Sequence, residues 1–309
     1  MFSVMFPGQG SQIVGMASEL YANYGYVRDY FRNADDILKR KISKIILDGP
    51  KSELDKTENT QPAIFLTSYS IFKVIEKETS LKIHEAKYFA GHSLGEYSAL
   101  CCAKSINFDQ TISLLKERGE AMQNALPDGQ GGMFAILGAN IEHINRMLKE
   151  NSKNFQCYIA NDNSDGQIVV SGINKYLEKF GGLLKSNNIK YVKLQVSAPF
   201  HCPLMYKATE KMRKKIADTE FKEPIVKIVS NVTAKPVTNS DEIKTLLVQQ
   251  IEKPVRWRES IINIINSGVN QFIEIGPGKV LSGLIKRIDR NVKINQINSI
   301  DDVKNLIDD

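Results

Sequence analysis

The stretch Gly91-His92-Ser93-Leu94-Gly95 is the strongest indication of the fold of this chain, because it matches the Gly-x-Ser-x-Gly pattern of a nucleophile elbow. In such an elbow a serine sits on a sharp turn between a strand and a helix. Residues 87–90 predict the strand and residues 96–102 predict the helix. The two glycines remove Cβ atoms that would collide in so tight a turn. Because the helix begins beside Ser93, its free N–H groups can stabilise an oxyanion.

Size and composition are those of an ordinary globular protein. The 309 residues suffice for a large core and for one domain with a sizeable insertion, and 42% are hydrophobic and 25% charged. No apolar run is long enough to span a bilayer, so we expect no membrane association. A Gly-rich motif that begins at residue 6 leaves no room for a cleaved secretory or import leader.

The four cysteines lack the paired spacing of metal ligands, so we expect free thiols, no metal and a cytoplasmic location. Cys202 next to His201 could be taken for a catalytic pair. Neighbours in an extended segment point to opposite sides, however, which favours a structural cysteine.

The formal net charge of +6 arises from basic residues that are scattered along the chain. A nucleic-acid-binding protein would have a basic stripe with interleaved aromatic residues, and none is visible. The excess suits an anionic ligand, such as a phosphorylated coenzyme, or an acidic partner protein. A solubilising surface explains the charge equally well.

Strands alternate with helices at both ends of the chain, which predicts a mostly parallel sheet with ligands at its carboxyl edge. The predicted strands outside the middle segment are 1–6, 87–90, 225–230, 272–275 and 292–297. The predicted helices there are one from about residue 13, and 63–78, 96–102, 107–126, 255–265 and 279–288, with a polar break at 59–62.

The middle segment has a different pattern. After the turn-rich residues 127–132, its order is strand, helix, strand, strand, helix, strand, which is the ferredoxin-like βαββαβ arrangement. The predicted strands are 133–137, 156–160, 167–171 and 191–196, and the predicted helices are 141–149 and 175–187. We therefore predict a small subdomain at 128–197, inserted into a catalytic subdomain formed by 1–127 and 198–309.

Ser93 needs a general base, and His201 is the best of the four histidines. It follows the strand 191–196 on a loop held by two prolines, whereas His84 and His143 lie in polar segments that we expect to be exposed. The side chain of His92 should diverge from its neighbour Ser93. A structural histidine remains the alternative for His201.

No acid completes a triad in clear view. In hydrolases with this elbow the acid comes between serine and histidine. Asp109, Asp128, Asp162 and Asp165 lie in that interval, but a helix start or a turn explains each of them. A backbone carbonyl or an amide side chain can orient the histidine instead.

Arg118 falls near the edge of the apolar stripe of the helix 107–126. From there a guanidinium can reach a cleft and bind a carboxylate with two hydrogen bonds. An arginine that covers the rim of the core is the alternative.

The loop Gly8-Gln9-Gly10-Ser11-Gln12 resembles a dinucleotide-binding fingerprint only superficially, because Ile13 stands where that pattern needs glycine or alanine. We therefore exclude a nicotinamide or flavin cofactor. A strand that ends in a glycine-flanked Gln9 can instead present a backbone N–H to a developing oxyanion.

Taken together, these motifs resemble those of the malonyl-CoA:acyl-carrier-protein transacylases over essentially the whole chain. The segments that carry the resemblance are Phe6-Pro7-Gly8-Gln9-Gly10-Ser11-Gln12, Thr60-Gln61-Pro62-Ala63, Gly91-His92-Ser93-Leu94-Gly95-Glu96-Tyr97, Arg118-Gly119, Ser197-Ala198-Pro199-Phe200-His201, Ser230-Asn231-Val232-Thr233, Pro254-Val255-Arg256-Trp257 and Glu274-Ile275-Gly276-Pro277-Gly278.

The resemblance implies an α/β fold with an α/β-hydrolase-like large subdomain and a ping-pong acyl transfer in fatty acid biosynthesis. Ser93, activated by His201, would take the malonyl group from malonyl-CoA and pass it to the phosphopantetheine thiol of holo acyl carrier protein. Backbone N–H groups of Gln9 and Leu94 would hold the oxyanion, and a backbone carbonyl near Gln250 would orient the histidine. No cofactor is implied, and we expect a monomer.

The resemblance also implies how the acyl group is chosen. Arg118 would bind the free malonyl carboxylate, with Phe200 and Met122 also in the substrate site. Phe200 would crowd a 2-methyl branch. A bidentate contact between arginine and a carboxylate is worth roughly 1.5–3 kcal/mol, which is one to two decades of discrimination against acetyl.

Three alternatives stay open at this point. A serine esterase or thioesterase shares the elbow, but the missing acid, the inserted segment and the lack of a His-Gly-Gly-Gly-type oxyanion loop oppose it. A discrete acyltransferase that serves a polyketide synthase would share all the motifs. A non-catalytic binding module would require Ser93, His201 and Arg118 all to be incidental.

Overall fold

The computed structural model describes residues 1–153 and 155–306, and it combines one mostly parallel sheet with a separate antiparallel sheet. The strands are β1 (Phe2–Phe6), β2 (Phe89–Gly91), β3 (Gly131–Leu137), β4 (Cys157–Ser164), β5 (Gln167–Ile173), β6 (Lys190–Lys193), β7 (Ile228–Val229), β8 (Pro236–Val237), β9 (Gln271–Ile275) and β10 (Lys293–Ile297).

Helices cover both faces of the parallel sheet and pack on the antiparallel one. They are α1 (Ser18–Asn23), α2 (Gly25–Leu38), α3 (Ile42–Leu47), α4 (Lys51–Leu54), α5 (Thr57–Glu78), α6 (Gly95–Cys102), α7 (Phe108–Gln123), α8 (Ile141–Glu150), α9 (Asn174–Ser186), α10 (Tyr206–Ala217), α11 (Ser240–Gln250), α12 (Trp257–Asn266), α13 (Val280–Ile288) and α14 (Ile300–Asn305).

The larger sheet has the order β10-β9-β1-β2-β7-β8, and all its neighbours except β7 and β8 are parallel. Phe6 at the end of β1 pairs with Gly91 at the end of β2. The loop after β1 and the serine turn after β2 therefore leave the sheet side by side at its carboxyl edge. This is where a parallel sheet is expected to place its ligands.

Successive residues of the central strands feed two separate cores, because side chains alternate across a sheet. Val4 and Phe6 pack with α5 and α6 on one face, whereas Met5 and Ala90 pack with Trp257 on the other. Both faces of the sheet are thus buried, which fixes the ends of the strands in place.

The second sheet is fully antiparallel, with the order β4-β5-β3-β6 and the helices α8 and α9 on the chain between its strands. We call residues 131–193 the antiparallel unit. It joins the larger sheet through a parallel bridge between Asn161 of β4 and Val255, just before α12. Its interior has its own apolar core, which includes Ile144, Val170 and Phe180.

Most predicted elements are confirmed with small shifts of their ends, but four expectations are wrong. The polar segment 59–62 is not a break, since α5 begins at Thr57 and runs through Pro62. The helix expected from Ile13 begins only at Ser18. The strand expected at 225–230 shrinks to Ile228–Val229, and the one at 191–196 becomes Lys190–Lys193.

Several helices were not predicted at all: α2, α3, α4, α10, α11 and α14. Three of these, α3, α4 and α14, are short, and α10 has a strongly charged sequence that obscures its apolar stripe of Ala208, Met212 and Ile216. The omission of α11 matters most, because its last residue is Gln250.

Candidate active site

Ser93 sits on the predicted elbow, between β2 and α6, with the left-handed backbone angle φ of 54°. A Cβ on Gly91 would lie 1.9 Å from the backbone carbonyl group of Gly95. A Cβ on Gly95 would lie 2.2 Å from the carbonyl oxygen of Phe6. Both positions therefore require glycine, as the sequence predicted, and the reason is close backbone packing.

His201 meets Ser93 across the fold. Its Nε2 lies 2.8 Å from the Ser93 Oγ, and its Nδ1 lies 2.7 Å from the backbone oxygen of Gln250. A carbonyl oxygen only accepts hydrogen bonds, so Nδ1 carries the proton and Nε2 is free to accept the serine proton. A carbonyl thus takes the place of the missing acid.

Burial keeps this histidine neutral. Desolvation, followed by the positive charge of Arg118, lowers the pKa of His201 to about 3, although the bond to Gln250 opposes the shift. A neutral imidazole is the form that can accept a proton from serine. The backbone of His201 is also left-handed, with φ of 57°.

Arg118 lies deeper than its place on the helix pattern indicated. Its side chain is 1% exposed rather than at the rim of the core. Nη1 donates to Gln61 Oε1 at 2.7 Å, and Nη2 donates to Gln250 Oε1 at 2.8 Å and to Ser93 Oγ at 3.1 Å. The guanidinium also faces the Tyr97 ring at 5.5 Å. A buried cation therefore touches the serine hydroxyl itself.

A cavity of about 210 Å³ opens above these groups. Its walls include all the remaining predicted site residues except Gln250, namely Gln9, Leu94, Phe200 and Met122. Gln9 is held by a bond from its side chain to Thr57 Oγ1 at 3.2 Å. Leu94 follows the serine at the start of α6. Gln250 lies behind the cavity, where it contacts both His201 and Arg118.

Both sheets contribute to this cavity. The antiparallel unit supplies Ala135 and Val169, and α13 supplies Leu284. The site is thus a cleft between the edge of the parallel sheet and one face of the antiparallel unit.

Asn231 is a site residue to which the sequence analysis gave no role. Its Oδ1 accepts the N–H of Ser93 at 2.7 Å, and its Nδ2 donates to the Gly91 oxygen at 2.7 Å. These two bonds pin both sides of the elbow. The segment Ser230-Asn231-Val232-Thr233 already stood out as a motif, but only the fold shows that it follows β7, next to β2.

Glu96 and Gln61 were likewise missed. Glu96 is 2% exposed, and its carboxylate accepts from the Asn231 N–H at 3.1 Å and from Gln250 Nε2 at 2.7 Å. Gln61 lies on α5, in the segment taken for a polar break. Buried polar side chains in a helix were the available signal.

The other three histidines take no part in the Ser93–His201 pair, although His92 also lines the cavity. His92 diverges from the serine, packs against Trp257 and bonds to Asn163 at 2.8 Å. His84 was expected to be exposed, but it is half-buried and bonds to Glu76 at 3.0 Å. His143 is exposed, as predicted.

Asp162 corrects the survey of acids, because it lies in β4 rather than in a turn or at a helix start. It pairs with Arg258 at 3.0 Å. All four cysteines are free and buried, as expected, and the Cys202 thiol bonds to the Pro199 oxygen rather than to His201.

The part of the chain that the structure describes contains neither a metal-binding cluster nor a membrane-spanning helix. Within 1–153 and 155–306, no group of three or more histidine, cysteine, aspartate or glutamate side chains is placed to hold a metal ion. Over the same residues, the helices are all too short or too polar to cross a membrane.

Comparison with known proteins gives matches over nearly the full chain. The acyl transferase domain family matches residues 4–303. The malonyl CoA-acyl carrier protein transacylase of Bacillus subtilis strain 168 is 42% identical over 291 residues, which cover 94% of this chain and 90% of that protein.

Solved structures agree with this match. The acyl-carrier-protein-S-malonyltransferase of Bartonella henselae superposes with a TM-score of 0.96 at 38% identity, over 99% of this chain and 98% of that one. A malonyl-transacylase in complex with a type II PKS acyl-carrier protein superposes with a TM-score of 0.95 at 38% identity, over 99% of both chains.

Proposed function

The chain belongs to the acyl transferase family and, within it, to the malonyl CoA-acyl carrier protein transacylases, and from that membership we propose its reaction. It transfers the malonyl group of malonyl-CoA to the phosphopantetheine thiol of acyl carrier protein, and so supplies fatty acid biosynthesis. The proposal rests on one observation, which is that a neutral base and a buried cation both contact the hydroxyl of the nucleophile. The Ser93 Oγ lies within hydrogen-bond distance of both His201 and Arg118.

The first half of the reaction loads the enzyme. The Ser93 hydroxyl gives its proton to His201 Nε2 while its oxygen attacks the thioester carbonyl. The backbone N–H groups of Gln9 and Leu94 hold the resulting oxyanion. The C–S bond then breaks, and His201 returns the proton to the departing coenzyme A sulfur. Malonyl-Ser93 remains.

The second half reverses these steps with another thiol. The phosphopantetheine thiol of the carrier gives its proton to His201 and attacks the serine ester. When the C–O bond breaks, the proton passes to the Ser93 oxygen and the enzyme is restored. Each half exchanges one acyl group and one proton, so no cofactor or metal ion takes part.

Arg118 selects the acyl group in this scheme. Its guanidinium is buried and donates to neutral oxygens of Gln61, Ser93 and Gln250. An arriving malonyl carboxylate gives this cation an anionic partner, whereas acetyl does not. Phe200 and Met122 line the same cavity, where the ring of Phe200 opposes a 2-methyl branch.

The finer architecture belongs to the same proposal. We assign residues 1–127 and 198–309 to an α/β-hydrolase-like catalytic subdomain and 128–197 to an inserted ferredoxin-like subdomain. The strand order β4-β5-β3-β6 and the βαββαβ order of its elements support the second assignment. Buried free thiols favour a cytoplasmic location. We propose a monomer, to be checked by light scattering.

The proposal is tested by mass and by acyl preference. Intact-mass measurement after malonyl-CoA treatment should show one malonyl adduct on the wild-type protein and none on Ser93→Ala. An adduct that persists in this variant would place the nucleophile elsewhere. Arg118→Ala should lose about one to two decades in the malonyl-to-acetyl rate ratio. An unchanged ratio would remove Arg118 from the binding of the carboxylate.

The same enzyme preparation distinguishes two other acceptors of the malonyl group, which are water and a polyketide carrier protein. Release of free malonate at the rate of transfer would indicate a thioesterase instead. Because one similar structure holds a type II PKS acyl-carrier protein, transfer to such a carrier should be compared with transfer to a fatty-acid carrier. A strong preference for the former would move the enzyme to polyketide synthesis.

A further inference from the structure

The site contains a buried carboxylate that the proposed reaction does not use. Glu96 is the first acidic residue of α6, three residues after the nucleophile, and it is 2% exposed. Arg118, at 1%, is the buried cation nearby. The guanidinium does not bond to this carboxylate directly, since it donates to the neutral oxygens of Gln61, Ser93 and Gln250.

The Gln250 side chain joins these two charges. Its Oε1 accepts from Arg118 Nη2 at 2.8 Å, and its Nε2 donates to Glu96 Oε2 at 2.7 Å. Its backbone oxygen holds His201 Nδ1. One residue therefore connects the acid, the cation that would bind malonyl and the general base. The orientation of its amide is fixed, because only the oxygen can face Arg118 and only the amino group can face Glu96.

The groups around Glu96 come from α6, α7, the end of α11 and the loop after β7, where Ser230 also bonds to it. Arg118 faces it from α7, Tyr97 adjoins it on α6, and Gln250 separates it from His201. Asn231 donates its backbone N–H from the loop after β7. His201 is neutral, and burial raises the pKa of Tyr97 to about 12, so the phenol is neutral as well. Arg118 is thus the cation that balances Glu96.

Glu96 is poised between its two forms. Burial raises the pKa of its carboxyl to about 7, against the opposing influence of the bonds from Asn231 and Gln250 and of the charge on Arg118. Its ionisation near neutral pH therefore depends on how much of the Arg118 charge it feels. A new anion on Arg118 changes that quantity.

We propose, resting on the function above, that Glu96 takes up a proton when malonyl is loaded on Ser93 and releases it when the acyl group leaves. One buried guanidinium then faces two carboxylates, and the one that is not bonded to it directly becomes neutral. The proton comes from solvent and adds to a carboxylate oxygen of Glu96. No other bond changes.

Glu96 is in this sense a positioning residue that acts through Gln250. Its protonated form still has a free oxygen to accept from Gln250 Nε2, so the amide keeps its orientation towards Arg118. By linkage, loading of malonyl becomes less favourable as the pH rises, whereas loading of acetyl, which brings no charge, does not. The acid thus makes the acyl preference of the enzyme depend on pH.

The proposal predicts a countable proton. The wild-type protein is mixed with excess malonyl-CoA in weak buffer with a pH indicator, and the adduct is quantified by intact mass in the same sample. We expect about half a proton or more to be taken up per adduct between pH 7 and 8. Acetyl-CoA is the control, because it releases the same coenzyme A thiol, whose partial ionisation therefore cancels. It should give no such uptake.

Variants assign the proton to Glu96. Glu96→Gln keeps the shape and cannot titrate, so its malonyl and acetyl proton counts should be equal. Glu259→Gln removes an exposed carboxylate that pairs with Arg256, and it should keep the wild-type difference. If Glu96→Gln does not fold, the infrared difference spectrum of the wild-type protein labelled with ¹³C-glutamate serves instead. Malonyl loading should add the carbonyl band of a protonated glutamic acid.

The outcomes separate this inference from the function on which it rests. A malonyl adduct that forms with the same proton count as the acetyl adduct overturns the role of Glu96 and leaves the transferase in place. A wild-type difference that persists in Glu96→Gln, or labelled protein that gains no such band, does the same. Failure of malonyl-CoA to form any adduct overturns both.

Discussion

Ser93 and His201 share a backbone feature that is rare for residues with side chains. Their φ angles of 54° and 57° place both in the left-handed region, which costs each of them free energy unless the surroundings enforce it. Asn231 supplies that enforcement on the serine side with its two bonds to the elbow. The two reacting side chains therefore face each other at 2.8 Å before any substrate arrives.

The low pKa of His201 predicts that acylation is insensitive to mildly acid pH. The pKa of His201 is lowered to about 3, so its protonation should not slow acylation between pH 7 and 5.5. With its ordinary pKa of about 6.5, the histidine would lose its neutral form, and the rate with it, roughly eightfold over that range. Single-turnover acylation by malonyl-CoA should therefore fall less than about twofold by pH 5.5.

Arg118→Ala is the matched variant. Burial is the larger cause of the lowered pKa and remains in this variant, but removal of the positive neighbour raises the pKa of His201, so the acid limb of acetyl-CoA acylation should move to higher pH. An acid limb near pH 6.5 in the wild-type protein would contradict the prediction.

The lowered pKa of His201 also makes the free energy of unfolding depend on pH. The contribution of neutral His201 to the free energy of unfolding is complete above about pH 6.5, and it is lost as the pH falls towards about 3.

The sequence identified the reacting residues but not their depth. Ser93, His201 and Arg118 each belong to a motif, so their types and spacing were sufficient to select them. The burial of Arg118 was not predictable, because its partners Gln61 and Gln250 lie 57 and 132 positions away. A helix pattern describes one helix, and it cannot show that two others bring acceptors to a cation.

At the scale of the element, α5 explains the clearest error. Its first turns contain Asn59, Thr60 and Gln61 and then Pro62, which resemble a loop, yet the segment is helical and buried. Each polar side chain has its own acceptor or donor: Thr60 Oγ1 bonds to the Leu54 oxygen at 2.6 Å, and Gln61 bonds to Arg118. Tertiary partners thus outweigh local propensity in this helix.

The first turn of α13 is capped by a carboxylate from a neighbouring strand. Glu274, at the end of β9, accepts the N–H groups of Leu281 and Ser282 at 3.0 and 2.7 Å, so a strand residue caps the helix. The helix in turn lines the cavity with Val280, Leu281 and Leu284. The cap therefore connects the stability of α13 to the binding of substrate.

Glu274→Gln should lower the free energy of unfolding by about 1–3 kcal/mol, because one acceptor oxygen becomes an amino group. It should also raise the KM for malonyl-CoA more than it lowers kcat. Ser299→Ala is the control, since it removes the cap of α14, which does not line the cavity, at a cost of about 0.5–2 kcal/mol. An unchanged KM in Glu274→Gln would show that α13 keeps its position without this cap.

At the scale of the molecule, the cleft depends on how the antiparallel unit sits on the larger sheet. The sequence predicted the strands and helices of the antiparallel unit and most strands of the larger sheet, because local patterns code for them, although it missed six helices of the larger part. It could not predict their junction. There Arg258 of α12 bonds to both carboxylate oxygens of Asp162 in β4, 96 positions away, at 3.1 and 3.0 Å. The same junction contains the backbone bonds Asp162 N to Val255 O and Val255 N to Ala160 O.

This junction should control both local opening and substrate binding. Arg258→Met keeps much of the packing of the side chain and removes its hydrogen bonds, so the buried Asp162 carboxylate and the exposed Asp165 carboxylate both lose this cation. We expect amide hydrogen exchange at Asp162 and Val255 to become roughly tenfold faster, which corresponds to about 1.4 kcal/mol of local stability. Because both parts line the cavity, kcat/KM for malonyl-CoA should fall as well.

Arg256→Met provides the comparison, because Arg256, directly before α12, pairs with Glu259 of that helix and donates to the Val232 oxygen rather than to the antiparallel unit. It should leave exchange at Asp162 unchanged. If Arg258→Met accelerates exchange but leaves kcat/KM intact, the cleft keeps its shape through the apolar contacts alone. If neither quantity changes, the backbone bridge between β4 and Val255 suffices to hold the two parts, and the ion pair contributes nothing to the cleft.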